Sequence, residues 1–320
     1  MNQFSLETDV STVSEQTLTL ALSPAAILLR DGLTRRLEKF EARLTRCQTD
    51  FTEENIHDLR VSTRRLMVIL SMCKAVLPTV KVKGLRKELK LHLDSLDGVR
   101  DTQVMLLFLK KYFRKNDAAV PLIAYLLLEE TRLHRRLGFE IGLIQKESLS
   151  QKVIDLRFSL ETNLTGTGIS DQVLAVVDEG FAEVQWRKVN VSSDNPTSFH
   201  AMRIAFKKFR YMLEVTEPLV PRMPPTRSRT LHRYQGMMGD IQDMVVFLGF
   251  LDRFGEENPQ FDITLVRNFA IKKRDERIEN FNVRINQLNL FWRKSHEARF
   301  PWRQPVASPS KEELEELEDE

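Results

Sequence analysis

The segment HDLRVSTRR at residues 57–65 recurs later in the chain as HAMRIAFKK at residues 200–208. Both read His-x-x-Arg-x-x-x-basic-basic, and the second begins 143 positions after the first. Two further pairs of segments match in nearly the same register. Residues 96–104 (LDGVRDTQV) match residues 238–246 (MGDIQDMVV) at an offset of 142, and a later pattern of two arginines and a phenylalanine matches at that same offset. Three separated matches in one register predict an internal duplication.

The duplication divides the chain into two halves of similar length. The latest match pairs Arg132, Arg135 and Phe139 with Arg274, Arg277 and Phe281. We therefore predict one domain over residues 23–300, with repeats at about 23–165 and 166–300. The TGTG sequence at residues 165–168 is the predicted joint.

Each half is predicted to contain four helices. Only 12 Gly and 12 Pro occur in 320 residues, which favours long helices over many short strands. The first helix is predicted over residues 27–46 in one half and 173–188 in the other. The His/Arg helix follows, with start signals at residues 52–54 and 196–198 and with prolines at its end. A third helix leads to the second matching segment, and a fourth carries the late arginines. The predicted fold class is all-α, with two duplicated four-helix-bundle halves.

Charge is unevenly distributed along the chain. The formal net charge is only +3, but residues 311–320 contain one Lys and seven acids, and residues 1–22 contain three acids and no Lys or Arg. The body between these ends is therefore strongly basic, which indicates an anionic partner. We expect residues 1–22 to form a flexible segment and residues 301–320 a disordered acidic tail.

Other features of the sequence predict a cytoplasmic location and no membrane association. The only two cysteines, Cys47 and Cys73, provide no disulfide framework and fit a reducing compartment. The first residues lack the pattern of a signal peptide. The longest uncharged apolar stretch, residues 118–128, is too short to span a bilayer.

The repeated segments each place cations and one histidine on a single helical face. At 100° per residue, His57, Arg60 and Arg64 share one face, and apolar side chains occupy the opposite face. The corresponding face in the second half carries His200, Arg203, Lys207 and Tyr211, with Arg210 beside them. Arginine offers planar, multi-pronged hydrogen bonding to phosphate oxygens, and lysine offers a point charge.

A basic stripe on an isolated helix is usually a solvated face. Here the stripes are predicted to lack acids three or four residues further on, and the same cations recur in both halves. Crowding them without a ligand would be repulsive. This favours an anion-binding groove formed by both stripes across a pseudo-twofold axis. For the two histidines, a hydrogen-bonded structural role remains the alternative to phosphate contact.

These residues resemble the CHAD domain family, helical domains that bind inorganic polyphosphate. The similarity covers about residues 23–297 and rests on the two repeated His/Arg segments, on Leu96-x-x-x-Arg100-Asp101, on Arg210-Tyr211-x-x-Glu214 and on Gly239-x-x-x-Asp243. The resemblance implies two four-helix halves related by pseudo-twofold symmetry around a basic channel. It departs from the family pattern at Asp97, where Gly is expected, and at Met67, where the second repeat has Arg210. The first half is therefore expected to bind the ligand more weakly at that point.

The resemblance also implies a set of polyphosphate-binding residues, to which we add Tyr211 and the late arginines. Lys90 and its offset partner His232, with Arg233 beside it, are expected to form a further layer of the channel. The full predicted set is His57, Arg60, Arg64, Arg65, Lys90, Arg132, Arg135, His200, Arg203, Lys207, Lys208, Arg210, Tyr211, Arg233, Arg274 and Arg277.

The sequence favours a binding protein over an enzyme. No Gly-x-x-x-x-Gly-Lys-Ser/Thr loop occurs. The Glu-x-Glu-x-Lys pattern of the triphosphate-hydrolysing domain that often accompanies this family is also absent, which favours a stand-alone CHAD domain. The aspartates near residues 97–101 and 240–243 could hold Mg²⁺, but helix capping explains them more simply. We predict no catalytic residues, no metal and no cofactor.

Three partners remain open. The leading hypothesis is inorganic polyphosphate, with localisation to polyphosphate granules or regulation of their metabolism. The second is nucleic acid, bound through its backbone without sequence preference. The third is a metal ion chelated by His57 and His200. A separate hypothesis places the acidic tail in the groove when no ligand is bound, against the alternative of a solvated tail.

Overall fold

The computed structural model describes residues 22–144, 146–165 and 167–303. The flexible segment predicted for residues 1–22 lies outside the described residues except for Leu22, and so does the acidic tail from residue 304 onward. In the described part the chain is all-α, as predicted, and its only extended pairings are two isolated β-bridges.

Five helices form the first half of the chain. They are α1 (Pro24–Thr49), α2 (Glu53–Val76), α3 (Lys83–Tyr112), α4 (Val120–Gly142) and α5 (Lys146–Asn163). The predicted start of the His/Arg helix agrees with the structure, because the Thr52 hydroxyl accepts a hydrogen bond from the Asn55 amide at 3.3 Å and so caps α2. α1 extends beyond its predicted bounds at both ends, since Ser23 caps it one turn earlier.

Four helices form the second half. They are α6 (Ile169–Val189), α7 (Thr197–Thr216), α8 (Pro225–Glu257) and α9 (Thr264–Arg284). Short 3-10 helices follow α7 at Glu217–Leu219 and α9 at Ile285–Leu290. α6 to α9 follow one another in the same order as α1 to α4, and each pair of corresponding neighbours packs together. The pseudo-twofold relation between the halves remains a prediction.

The helix α5 was not predicted, so the first half has five helices instead of four. Its buried side chains are Leu149, Val153, Leu156 and Leu160, which recur every three or four residues. This stripe packs against α1 and covers an apolar face that would otherwise be exposed. The chain then turns through Gly168, whose φ of 84° places it in the left-handed region, and enters α6.

Two hydrophobic clusters are stacked along the long helices α3 and α8. The larger cluster includes Leu96 and Val99 of α3, and the smaller one begins at Met105. On α8 the change from one cluster to the other falls between Ile241 and Met244. Polar side chains occupy the level between the clusters. The acidic segments of α3 and α8, at residues 97–101 and 240–243, lie near this level.

The first helix of each half crosses the second helix at a glycine. A Cβ added at Gly32 would lie 2.8 Å from Ile69 Cδ1, and one added at Gly180 would lie 2.9 Å from Met212 Sδ. Ile69 and Met212 are 143 positions apart, which is the offset of the repeated His/Arg segments. The two close approaches are therefore corresponding contacts, and they align α1 with α6.

The predicted disordered tail at residues 301–320 begins too early. Residues Pro301–Arg303 form a 3-10 turn that packs on the body of the protein. The Trp302 indole donates a hydrogen bond to the Pro221 carbonyl at 2.9 Å, and its ring lies 6.5 Å from the ring of Trp292. The prolines and the acidic run after Phe300 suggested disorder, but Trp302 has an apolar surface to bury.

Candidate functional site

Five cations from α2 and α7 meet at the level between the two hydrophobic clusters. We call Arg60, Arg64, Arg203, Lys207 and Arg210 the cation cluster. Burial, together with the nearby arginines Arg203, Arg64, Arg60 and Arg210, lowers the pKa of Lys207 to about 6. Both predicted stripes therefore act on one ammonium group, which shows that the fold brings them together.

Carboxylates from α3 and α8 lie beneath the cation cluster. Asp97 accepts hydrogen bonds from Arg60 and, at 3.2 Å, from Arg64. Burial raises the pKa of Asp101 and of Asp243, which shows that both carboxyls lie in the same poorly solvated layer. The prediction that the stripes lack neutralising acids is therefore wrong. It failed in part because Asp97, Asp101 and Asp243 come from neighbouring helices, where spacing along one helix does not reveal them. It also overlooked Glu214, which follows Arg210 by four residues on α7 itself.

These acids provide only some of the hydrogen-bond acceptors that the cation cluster needs. In the described part of the chain, the Nε atoms of Arg60, Arg203 and Arg210 are buried and have no hydrogen-bond partner. Lys207 forms no ion pair with any carboxylate that the structure describes. Arg60 is only 7% exposed and Arg203 is half-buried, so these groups have lost solvent without gaining a full set of partners.

The two predicted histidines lie at the exposed start of the stripes. Partial burial together with Arg100 and Arg60 lowers the pKa of His57, so it is neutral near pH 7. His200 Nδ1 lies 2.7 Å from the side-chain oxygen of Gln242 on α8. Because that oxygen can only accept, His200 donates from Nδ1.

Glu214 connects the cation cluster to a neighbouring group of arginines. Its carboxylate accepts two hydrogen bonds from Arg65, at 2.9 and 3.2 Å, and lies 3.6 Å from Arg210 Nη2. Both guanidinium groups lie over the Tyr211 ring, at 5.5 and 4.9 Å from its centroid. Tyr211 is only 4% exposed, so it supports the two arginines instead of presenting its ring to a ligand. Glu214 is also the one acid at the four-residue spacing from Arg210.

Several predicted site residues lie outside the cation cluster. Lys90 is 63% exposed and pairs with Asp94, and Arg132 is 83% exposed and lies 3.8 Å from Glu129. The other two exposed arginines of this set are Arg135 and Arg233. These side chains are free to move toward a large ligand, but the structure does not group them with the cluster.

The late arginines of the second half have local partners. Arg274 Nε lies 2.8 Å from Asp275, and Arg277 donates from Nη1 to the Asp240 carbonyl at 2.8 Å. Arg277 also counteracts the raised pKa of Asp243, so it lies near that carboxyl.

Two grooves flank the α2–α7 pair, and each is lined in part by residues of the predicted binding set. The α1 groove has a volume of about 220 Å³ and is lined by Arg35, Arg36, Lys39, Arg43, Ser62, Arg65 and Glu214. The α6 groove has a volume of about 590 Å³ and includes Lys208 and His200 in its lining. Arg65 and Lys208 therefore point away from the cluster, into different grooves.

The sequence did not identify the basic residues of α1 or Arg100 as site residues. Arg35, Lys39 and Arg43 recur every four residues and so share one helical face, a signal that was available from spacing alone. Arg100 donates to Glu53 at 3.1 Å and acts on both His57 and Asp243. Its position beside the cluster depends on the packing of α3 against α2.

No group of three or more metal-ligating side chains lies together among the described residues. Within those same residues, no helix is long and apolar enough to cross a membrane.

Comparisons with known proteins agree on one fold. Residues 31–252 match the family model of the CHAD domain. The crystal structure of the CHAD domain from the plant Ricinus communis superposes with a TM-score of 0.69 at 19% identity, covering 88% of this chain and 94% of that one. The protein PptA from Streptomyces chartreusis superposes with a TM-score of 0.61 at 16% identity, covering 83% of this chain and 99% of that one. At these identities the superpositions show the fold. A search of the curated proteins finds no match.

Proposed function

The chain belongs to the CHAD domain family, and we propose that it binds inorganic polyphosphate through the cation cluster. CHAD domains are known in general as polyphosphate-binding domains. The observation that carries the proposal is the position of Lys207, a half-buried lysine that lies among four arginines and has no carboxylate partner in the described structure. An incoming phosphate supplies the missing counter-charge.

The carboxylates beneath the cluster prepare it for a phosphate chain. Asp97 holds Arg60 and Arg64 in fixed positions, so less side-chain entropy is lost when phosphate oxygens bind them. The ligand then provides a second acceptor for guanidinium groups that the aspartates satisfy only in part. Lys207 gains a proton as phosphate approaches, because a nearby anion favours its charged form.

The remaining predicted residues form an outer layer in this proposal. His57 and His200 contact phosphate at the start of the two stripes, while Arg65 and Lys208 flank the pair of helices. The cations outside the cluster attract further phosphate units along a basic channel; they are the exposed Lys90, Arg132, Arg135 and Arg233 and the half-buried Arg274 and Arg277. Their contribution is long-range attraction, which salt screens more strongly than the buried contacts.

We propose that binding is the whole function, without catalysis, in the cytoplasm and with localisation to polyphosphate granules. Three cations of the cluster, Arg60, Arg64 and Arg210, are engaged in ion pairs with Asp97 or Glu214. The cluster offers no nucleophile–base pair among the described residues. A chain held by many weak contacts suits retention of a long polymer, because each unit adds to the total affinity.

The alternative is binding of nucleic-acid backbones, which also carry regularly spaced phosphates. The observation in its favour is the set of exposed cations on α4 and α8. Against it, the cluster is half-buried between helices, where a bare phosphate chain fits more readily than a duplex with bases.

Competition between the two ligands tests the proposal. Labelled polyphosphate is bound to the protein at about 0.15 M salt and displaced with unlabelled polyphosphate or with duplex DNA of equal phosphate concentration. We expect polyphosphate to displace the label at concentrations at least about tenfold lower than DNA. More effective displacement by DNA would contradict the proposal.

A further inference from the structure

The α1 groove has an excess of positive charge that the cation cluster does not explain. Of its five cations, Arg43 lies 2.9 Å from Asp58 and Arg65 is bound by Glu214. The other three, Arg35, Arg36 and Lys39, form no ion pair with any carboxylate in the described chain.

Arg36 is the most enclosed of these three cations. Burial lowers its pKa, Glu214 opposes that effect, and Arg65 and Arg35 add to it. Its only hydrogen bond within the described part of the chain, to the Gly32 carbonyl, is long at 3.5 Å. Arg36 therefore carries an electrostatic cost that an anion in the groove would relieve.

The α6 groove provides an internal comparison, since Gly32 and Gly180 mark corresponding positions on α1 and α6. Three residues after these glycines, α1 has Arg35 where α6 has Glu183; seven residues after them, α1 has Lys39 where α6 has Arg187. Glu183 and Arg187 pair with each other at 2.7 Å, so the α6 groove is neutral at this level.

The comparison shows that the packing of the first helix on the second does not depend on the charge of the groove beside them. The second half packs its first helix against its second with the same glycine contact and without a cationic row. Packing of α1 therefore does not require Arg35 or Lys39, and like charges this close are unfavourable. A bound anion accounts for a charge pattern that the fold does not need.

We propose that the α1 groove is a second anion site that binds a short phosphoanhydride group, such as a diphosphate or triphosphate. The Glu214 carboxylate, held by Arg65 in the two-pronged geometry that arginine also uses with phosphate, occupies one end of the site. The volume of about 220 Å³ suits a compact group, and the three unpaired cations match its several charges. This site uses none of the five cations of the cluster.

Calorimetric titration of the full chain with sodium tripolyphosphate at about 0.15 M salt tests the site. We expect Arg35→Gln/Lys39→Gln to weaken binding by at least about tenfold, since two charge-assisted contacts are lost. The matched control is Arg187→Gln/Arg267→Gln, which removes two charges elsewhere, including the counterpart of Lys39, and should change affinity by less than about twofold. Glu214→Gln should tighten binding severalfold, because it removes the competing charge and keeps a hydrogen-bond acceptor.

Further titrations identify the ligand that the groove prefers and test whether the two sites are independent. ATP and long-chain polyphosphate are titrated into the same variants, and the ligand most weakened by Arg35→Gln/Lys39→Gln is the one that the groove prefers. Lys207→Gln should leave tripolyphosphate binding to the groove intact. The proposal is overturned if tripolyphosphate does not bind, or if the Arg35→Gln/Lys39→Gln variant binds all three ligands as wild type does. Neither result depends on whether Lys207 contacts polyphosphate.

Discussion

Lys207 is the residue at which stability and function conflict. It lies half-buried among four arginines, and its pKa is lowered to about 6 from an ordinary value of 10.5. Between those two values the unfolded chain binds a proton that the folded chain does not. The free energy of unfolding contributed by this group therefore rises with pH across that window, and the cost of Lys207 is greatest at and below pH 6. Residues that destabilise a fold in this way are typical of binding sites.

Replacing Lys207 with methionine should stabilise the protein and weaken polyphosphate binding. We expect the free energy of unfolding to rise by on the order of 1–3 kcal/mol near pH 6, because a buried charge is replaced by an apolar group of similar length. The gain should shrink as pH rises toward 10.5. Urea denaturation at pH 6, 7.5 and 9 measures it.

The control for this substitution is Lys208→Met, which alters the neighbouring exposed lysine. It should change stability by less than about 0.5 kcal/mol at each pH, as is usual for surface positions. A loss of stability in Lys207→Met, or a gain that grows with pH, would show that Lys207 is not a buried cation under strain.

At the scale of single residues, the sequence predicted cations better than it predicted their partners. Arg60, Arg64, Arg203 and Lys207 follow from helical spacing, since spacing fixes which side chains share a face. The acids Asp97 and Asp243 act on them from α3 and α8, and Tyr211 turned out to be buried. These facts depend on how different helices cross, which periodicity within one helix does not determine.

At the scale of helices, the glycines that separate α1 from α2 and α6 from α7 determine how closely the pairs approach. Gly32 faces the tip of Ile69, a stiff side chain in the full core, whereas Gly180 faces Met212, a flexible side chain at the edge of the α6 groove. A third glycine, Gly236 on α8, takes no part in such a contact and has open space around it.

Alanine substitutions at these three glycines should therefore differ in sign. Gly236→Ala should stabilise by up to about 1 kcal/mol through helix propensity alone. Gly180→Ala should be close to neutral, because Met212 can move into the groove. Gly32→Ala should destabilise by on the order of 1–2 kcal/mol, because overpacking outweighs the propensity gain. Thermal denaturation of the three variants gives the ranking, and a stabilising Gly32→Ala would contradict the close contact.

The helix boundaries show why some elements escaped prediction. The cap at Thr52 and the break near Pro78 predicted the two ends of α2 correctly. α5 was missed because it has no counterpart in the second half, so the repeat that identified the other helices gave no signal for it. Its leucines at residues 149, 156 and 160 were nevertheless spaced for one buried face.

At the scale of the whole molecule, the duplication predicted from the sequence accounts for both the site and its asymmetry. Corresponding helices α2 and α7 supply the cations of one cluster, and corresponding helices α3 and α8 supply its acids. The flanking grooves differ, since α1 has a row of cations while α6 has a neutral pair in its place. The repeat was readable from sequence, whereas the two grooves emerge only when the halves are packed together.

The central claim is that polyphosphate binds at the cluster where α2 meets α7. The most direct test titrates medium-chain polyphosphate, at about 0.15 M salt, into wild type, Arg203→Gln/Lys207→Gln and the charge-matched control Arg187→Gln/Arg267→Gln, with helicity checked by circular dichroism. We expect the first variant to lose at least about thirtyfold in affinity and the control less than about threefold, because buried contacts outweigh screened surface charge. Equal losses in the two variants would show that polyphosphate responds only to net charge, and would place it outside the cation cluster.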